Sequence, residues 1–226
     1  RQKSLAHLRR QVKDPELRAK LVPAYPIGAK RVLFNDDYYP ALSRPNVELV
    51  TDPIECIEPE GVRTSSGQLH AVDVIIYATG FKSTDFLAPM QITGRGGLDL
   101  KQEWSRGARA YLGVTVSGFP NFFMLYGPNT NLGHNSILVM IEAQVGYILD
   151  ALAKMKTRGV KRIDVRRDVL ETYNRNLQQD LARSVWAATG ASWYKLADGT
   201  ITNNWPHSTI RYQRLLREAK LEDYDT

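Results

Sequence analysis

The sequence predicts an α/β fold that contains a β-meander. Three observations predict it. Residues 54–81 break into short apolar runs separated by two tight turns, Pro59-Glu60-Gly61 and Ser65-Ser66-Gly67. Within them "DVIIYATGF" holds a run, Val72 to Tyr77, that is apolar almost throughout, as a strand buried on both faces is. A long stretch from Ser136 to Lys156 carries apolar residues at helical spacing and is closed by Gly159.

The elements follow in order. In residues 1–22, Leu5, Leu8, Val12, Leu17 and Leu21 recur at helical spacing, and Pro15 either kinks the helix or starts a second one at Asp14. One apolar stripe with no partner before it leads us to expect that further chain precedes Arg1. Pro23, Pro26 and Gly28 predict a loop, Arg31 to Phe34 a short strand, and Asp36 or Asp37 a cap for a helix through Tyr39 to Leu42. "NVELVTD" predicts a strand that turns at Asp52-Pro53, after which the meander begins. Beyond Phe81 the chain is rich in loops. Two strands, Leu112 to Val116 and Asn121 to Tyr126, are expected around Gly118-Phe119-Pro120. After the long helix, "KRIDVRRD" predicts a strand and Asp168 to Thr189 a helix. The tail is aromatic loop followed by helix. There is no internal repeat.

Composition narrows the class. Hydrophobic residues make up 43% of the 226, enough for a core. A single cysteine, Cys56, excludes a disulfide framework and points to a reducing, cytoplasmic compartment. His7, His70, His134 and His207 show no metal-ligand spacing. The net charge is +6 and the pI about 9.4, with basic residues at Arg9-Arg10, Lys30-Arg31 and along 154–167. Acidic residues interleave and no nucleic-acid module is present, so a mildly basic, solvated surface is expected and no nucleic-acid partner. The most apolar run, "SILVMIEAQVGYILDAL", is interrupted by Glu142, Gln144 and Asp150, which argues for a core helix and against a membrane span.

Three stretches have the chemistry of a binding site. In "GPNTNLGHNS", Pro and Gly hold the backbone open, Asn129, Thr130, Asn131 and Asn135 supply short polar side chains, and a helix N-terminus points its free N–H groups and positive dipole end back into the loop. That suits partial negative charge on a ligand; an ordinary capped loop is the alternative. In "IGAKR", Lys30 and Arg31 follow a Pro/Gly loop, and strand geometry sends them to opposite sides; the alternative is plain surface. At Thr79-Gly80 the apolar run ends in small residues that let backbone approach a ligand, or simply turn. Other motifs fail. "GRGGLD" has Asp99 where a dinucleotide-binding loop needs its third glycine, and no P-loop, G-x-S-x-G or H-E-x-x-H is present. "SWY" and "NNWP" read as core aromatics.

Order adds what single motifs lack. Lys-Arg after a Pro/Gly loop, "DDYYPALSRPNVELV", "DVIIYATGF", "YLGVTVSGFPNFFMLYGPNTNLGHNS", a long helix, "SWY" and "WP" together resemble the C-terminal half of the class B flavoprotein monooxygenases. Among these the series is most similar to the Baeyer–Villiger monooxygenases, with flavin-containing monooxygenases close by. The resemblance implies the C-terminal portion of a two-dinucleotide-binding-domain flavoprotein, three-layer and Rossmann-like. Residues 1–79 would end an NADPH domain and residues 80–226 would belong to an FAD domain, both Gly-rich loops lying in a missing N-terminal half.

The resemblance also implies roles. Lys30 would meet the NADPH 2′-phosphate, and Arg31, the catalytic residue, would stand beside the flavin and hold a C4a-peroxide anionic. Thr79 and Gly80 would form the crossing between domains. Gly127, Pro128, Asn129, Thr130, Asn131, His134, Asn135 and the following helix start would lie beside FAD, and Trp193 near NADP. The implied reaction inserts one oxygen atom of O2 into a ketone at the expense of NADPH. N- or S-oxygenation of a soft nucleophile, and a non-catalytic remnant of the same fold, are the alternatives.

Overall fold

Pro15 divides the N-terminal helical stretch. In the computed structural model, which describes residues 1–190 and 192–226, helix α1 runs Gln2–Gln11 and helix α2 runs Pro15–Leu21. The Asp14 side chain caps α2 by accepting from the Glu16 N–H at 2.9 Å. Pro15 sits at the first helical position, where its lack of an N–H costs nothing. The chain forms two compact units. The first comprises Arg1–Ile27 and Leu33–Gly80, the second Gly28–Val32 and Phe81–Thr226.

In the first unit, Leu8 on α1 and Val12, just beyond its end, are buried. Helix α3, Tyr38–Leu42, lies against it, with the His7 and Tyr39 rings 5.8 Å apart. Neither aspartate before α3 caps it through its side chain. Asn35 does, its side-chain oxygen accepting from the N–H groups of Asp37 at 2.8 Å and Tyr38 at 2.7 Å. The meander is present as β1 Ile54–Glu58, β2 Gly61–Thr64 and β3 Leu69–Ala71, antiparallel in that order. Both turns fall where the sequence places them. Arg63 on β2 grips Glu58 on β1, one of its contacts being 2.8 Å.

Three expected strands do not form ladders. Residues 31–34, 46–52 and 72–77 pair with nothing among the described residues. Their apolar side chains stand in solvent: Phe34 is 98% exposed, Ile76 87% and Val74 74%. The apolar pattern is that of strands flanked by neighbours on both sides, and a strand acquires a ladder only where a neighbour supplies one. The described ladders are all antiparallel, in one three-stranded and one two-stranded sheet. The α/β character is therefore observed, whereas a parallel layered sheet is not formed among these residues.

The second unit holds the larger core, built around helix α5, Ile137–Arg158. Met140, Tyr147, Ala151 and Met155 form its inner stripe. Gly159, with φ 67°, closes the helix in the left-handed conformation that glycine adopts without strain. Helix α4 is a single turn, Leu100–Glu103, capped by Asp99. Strand β4, Asp164–Val165, pairs antiparallel with β5, Tyr224–Asp225, so that the end of the chain returns to the core. Helix α6, Arg167–Leu181, packs Leu170, Leu177 and Leu181 inward. It stops eight residues short of the expected Thr189. The Ser184 hydroxyl donates to the Leu181 carbonyl at 2.6 Å, a local bond that competes with helix continuation. Helix α7, Thr209–Leu215, is capped by Ser208.

The strand expected at 112–116 is a buried turn instead, and 121–126 is irregular, with only Met124 buried. Leu112 and Gly113 both have positive φ, at 56° and 70°. Tyr111 N–H donates to Thr115 carbonyl at 2.8 Å, closing a tight reversal, and Met124 N–H donates back to Val114 at 2.9 Å. A side chain at Gly113 would collide with Thr130, so this turn packs directly on the loop that precedes α5.

Candidate functional site

The loop between Met124 and α5 is held in a strained conformation. Tyr126 and Asn129 have φ of 55° and 59°. Non-glycine residues occupy that region rarely, at a cost of roughly 1–3 kcal/mol, and keep it only where their surroundings impose it. Here the surroundings come from two directions. From α5, Gln144 is fully buried and its side-chain oxygen accepts from Tyr126 N–H at 2.8 Å. Its amide nitrogen donates to the Tyr212 hydroxyl at 2.9 Å, and that hydroxyl donates to Leu112 carbonyl at 2.6 Å.

From the tail, residues 201–205 lie alongside the loop. The N–H groups of Asn129 and Asn131 donate to the carbonyls of Thr202 at 2.7 Å and Asn203 at 2.9 Å, and Trp205 N–H donates to Asn131 carbonyl at 2.9 Å. The Asn129 side chain donates to the carbonyls of Ile201 at 2.7 Å and Asn204 at 3.2 Å. Thr130, fully buried, donates to Gly127 carbonyl at 2.7 Å. Asn129 and Thr130 thus spend their side chains on the fold. Gly127 has no room for a side chain, because one would overlap the Gly113 carbonyl. Pro128 is buried beside it.

Asn131 is different. Half-buried, it accepts from the Tyr126 hydroxyl at 2.8 Å and donates to the Asn204 side chain at 2.6 Å. His134 and Asn135 are exposed. Asn135 accepts from Ser136 N–H at 2.8 Å and donates to Thr209 at 3.2 Å. Ser136 then caps α5, accepting from Leu138 N–H at 3.3 Å. The first turn of α5 contains no acidic residue, so nothing on the helix neutralises its positive end.

The electrostatics bring in Arg31. Burial pushes the Tyr126 phenol above its usual range, while the positive charge of Arg31 pulls it down and Tyr194 pushes it up. Arg31 is exposed and belongs to the same compact unit as the loop. Lys30 is its exposed neighbour, and Ala29 before it is fully buried. Trp193 is exposed, its ring tilted against that of the buried Tyr194 at 5.7 Å, and its carbonyl accepts from the Ser83 hydroxyl. The structure therefore brings Arg31, Tyr126 and Asn131 into one electrostatic neighbourhood. Thr79 and Gly80 end the first unit, both exposed, with Gly80 at φ 89°.

Two residues escape sequence reasoning. Gln144 reads as a polar interruption of a core helix, and Asn204 is hidden in a motif that reads as core aromatics. Trp205 is indeed core, between His207 and Tyr212 at 5.1 Å from each ring. Asn204 is 1% exposed, and its amide nitrogen has no partner among the described residues. An arginine and a helix N-terminus with no acid in its first turn together suit a ligand that carries negative charge. Among the described residues no group of three side chains has the make-up of a metal site.

No family model matches the chain. It is 44% identical over 223 residues to a Baeyer-Villiger monooxygenase of Pseudomonas aeruginosa, covering 98% of this chain and 42% of that protein. It is 45% identical over 216 residues to the FAD-binding monooxygenase ktnD of Aspergillus niger, covering 93% of this chain and 35% of that one. The crystal structure of OTEMO in complex with FAD and NADP superimposes with a TM-score of 0.86 at 30% identity, over 98% of this chain and 43% of that one. The chain thus spans less than half the length of the relatives it matches.

Proposed function

We propose that this chain, which belongs with the Baeyer–Villiger and FAD-binding monooxygenases, supplies the flavin-side electrostatics of an NADPH-dependent oxygenation of ketones. One observation carries the reading: the charge of Arg31 acts on the loop that leads into the α5 N-terminus, where no acid opposes it. On this reading residues 1–79 belong to an NADPH domain and residues 80–226 to an FAD domain. The unpaired runs at 31–34, 46–52 and 72–77 join a Rossmann-like parallel sheet whose other strands lie in an N-terminal half. A cytoplasmic setting is part of the same reading, in keeping with the free Cys56.

FAD, when bound, supplies the hydride acceptance and the activation of O2. The residues of this chain position and stabilise. Asn131 offers a side-chain N–H from a loop whose backbone cannot shift, because residues 201–205 hold it. The α5 N-terminus lowers the energy of negative charge on the ring by a fixed field that needs no reorganisation. Arg31 lowers the proton affinity of an anionic oxygen beside it and so keeps that oxygen nucleophilic toward a carbonyl carbon. Lys30 holds the 2′-phosphate of NADPH, and Trp193 lies along the same cofactor. Thr79 and Gly80 carry the chain from one domain to the other, and Gly127, Pro128, Asn129, Thr130, His134 and Asn135 frame the flavin edge.

Arg31→Ala in the complete protein tests this. Ester or lactone formation from a ketone, followed by gas chromatography, is expected to vanish, while anaerobic flavin reduction by NADPH persists. Ketone turnover that survives the substitution removes Arg31 from the role. A parent protein that makes N- or S-oxides and no ester identifies the other oxygenation chemistry.

A further inference from the structure

Two non-glycine residues in the left-handed region, Tyr126 and Asn129, need more than local bonding to stay there. Asn204 sits where that constraint converges. Its carbonyl accepts from the Asn129 side chain, its side-chain oxygen accepts from Asn131 at 2.6 Å, and the next residue, Trp205, donates to Asn131 carbonyl. The Asn131 amide is thereby held between two partners. Its oxygen faces a donor, the Tyr126 hydroxyl, and its nitrogen faces an acceptor, the Asn204 oxygen. One N–H of Asn131 is left over on this half-buried side chain.

The Asn204 side chain is almost fully buried, yet its nitrogen bonds to nothing described. Burying an unpaired donor is unfavourable, and an apolar side chain of the same size avoids it. What the molecule uses at this position is the oxygen. We propose that Asn204 is a positioning residue: through its side-chain oxygen it orients Asn131, and through Asn131 the Tyr126 phenol, toward the ligand beside Arg31. This deepens the flavin-site reading above and rests on it for the identity of the ligand, though not for the orienting role itself.

The asymmetry between the two ends of the Asn204 amide makes the test. Asn204→Asp replaces the unpartnered donor with an oxygen and keeps the acceptor, while placing a carboxyl group at a buried position. Asn204→Leu removes the acceptor at similar volume. In the complete protein, hydrogen exchange at the backbone amides of Asn129 and Asn131 is measured without turnover, alongside the absorbance of bound flavin and the separate kcat and KM for a ketone. N204L is expected to speed exchange at both amides, to shift the flavin spectrum and to lower kcat at least about tenfold, the usual consequence of losing one buried hydrogen bond. N204D is expected to restore protection and most of kcat. Should N204L not fold, N204S, whose shorter side chain withdraws the acceptor from Asn131, is read the same way. Parent-like exchange in the variants lacking the acceptor overturns the proposal. If the parent makes no ester at all, the functional reading fails, and the exchange comparison still decides the role of Asn204.

Discussion

Gln144 shows how one polar residue in an apolar helix sets a site. Its oxygen holds Tyr126 in a left-handed conformation and its nitrogen ties Tyr212 to the same point. Gln144→Leu leaves the Tyr126 N–H without its acceptor, and a loss of roughly 1–3 kcal/mol is expected from the shift in urea midpoint. An unchanged midpoint contradicts the role. From sequence, Gln144 is visible only as evidence against a membrane span. Arg31 and Asn131 are singled out in sequence only by the order of motifs around them, since a cation after a Pro/Gly loop and a cluster of asparagines before a helix each have ordinary structural uses. The partner that orients Asn131 is not visible, since 73 residues separate it from Asn204 and the hydrogen bond between them is purely tertiary.

At the scale of elements, α5 is the axis of the second unit, and Asp150 joins it to the tail. Its carboxylate accepts from Ala219 N–H at 2.8 Å and pairs with Lys154 at 3.0 Å. The Ala219 bond, and then Lys154, hold it below its usual value of 3.8 against the opposing effect of burial. A carboxylate depressed in the folded state contributes stability that is complete above its unfolded value. That stability is lost as pH falls through the folded one. The urea midpoint is therefore expected to fall on acidification from about pH 5 to about pH 2. Asp150→Asn is expected to flatten that fall; an acid limb that keeps its slope in D150N removes Asp150 from the account. The Tyr111 and Tyr147 phenols stay protonated throughout, raised by burial, so they add nothing to this window. Helix boundaries were legible where a cap was written locally, as at Asp14-Pro15 and Ser136. The end of α6 was not, because Ser184 ends it through a hydroxyl that reads equally well inside a helix.

For the whole molecule the exposed apolar runs matter most. Phe34, Val74 and Ile76 lie open in a chain whose charge, +6, favours solubility. If these runs are strands of a larger sheet, a charge placed on one has opposite consequences in two settings. Ile76→Lys is expected to change the stability of the 226-residue chain by less than about 0.5 kcal/mol, because the side chain touches little. In the complete protein it is expected to abolish folding or flavin retention, through an unpaired charge in a sheet interior. Yellow, fully folded I76K protein contradicts the strand reading. The 226-residue chain alone is expected to take up little FAD, read from absorbance after dialysis, and a tight stoichiometric complex reverses that expectation.

The sequence by itself determined the helices with written caps and the meander with its two turns. These depend on neighbours a few residues away, where backbone geometry and hydrogen-bond valence act directly. It also carried the order of motifs that ties the chain to its relatives. Only the tertiary structure decided that the stretch 111–126 is turn and irregular chain, that Asn129 and Thr130 serve the fold, and that Asn131 is oriented by Asn204. Each of these outcomes depends on which distant backbone supplies a partner for a buried donor or acceptor, and an apolar run becomes a strand only beside another strand.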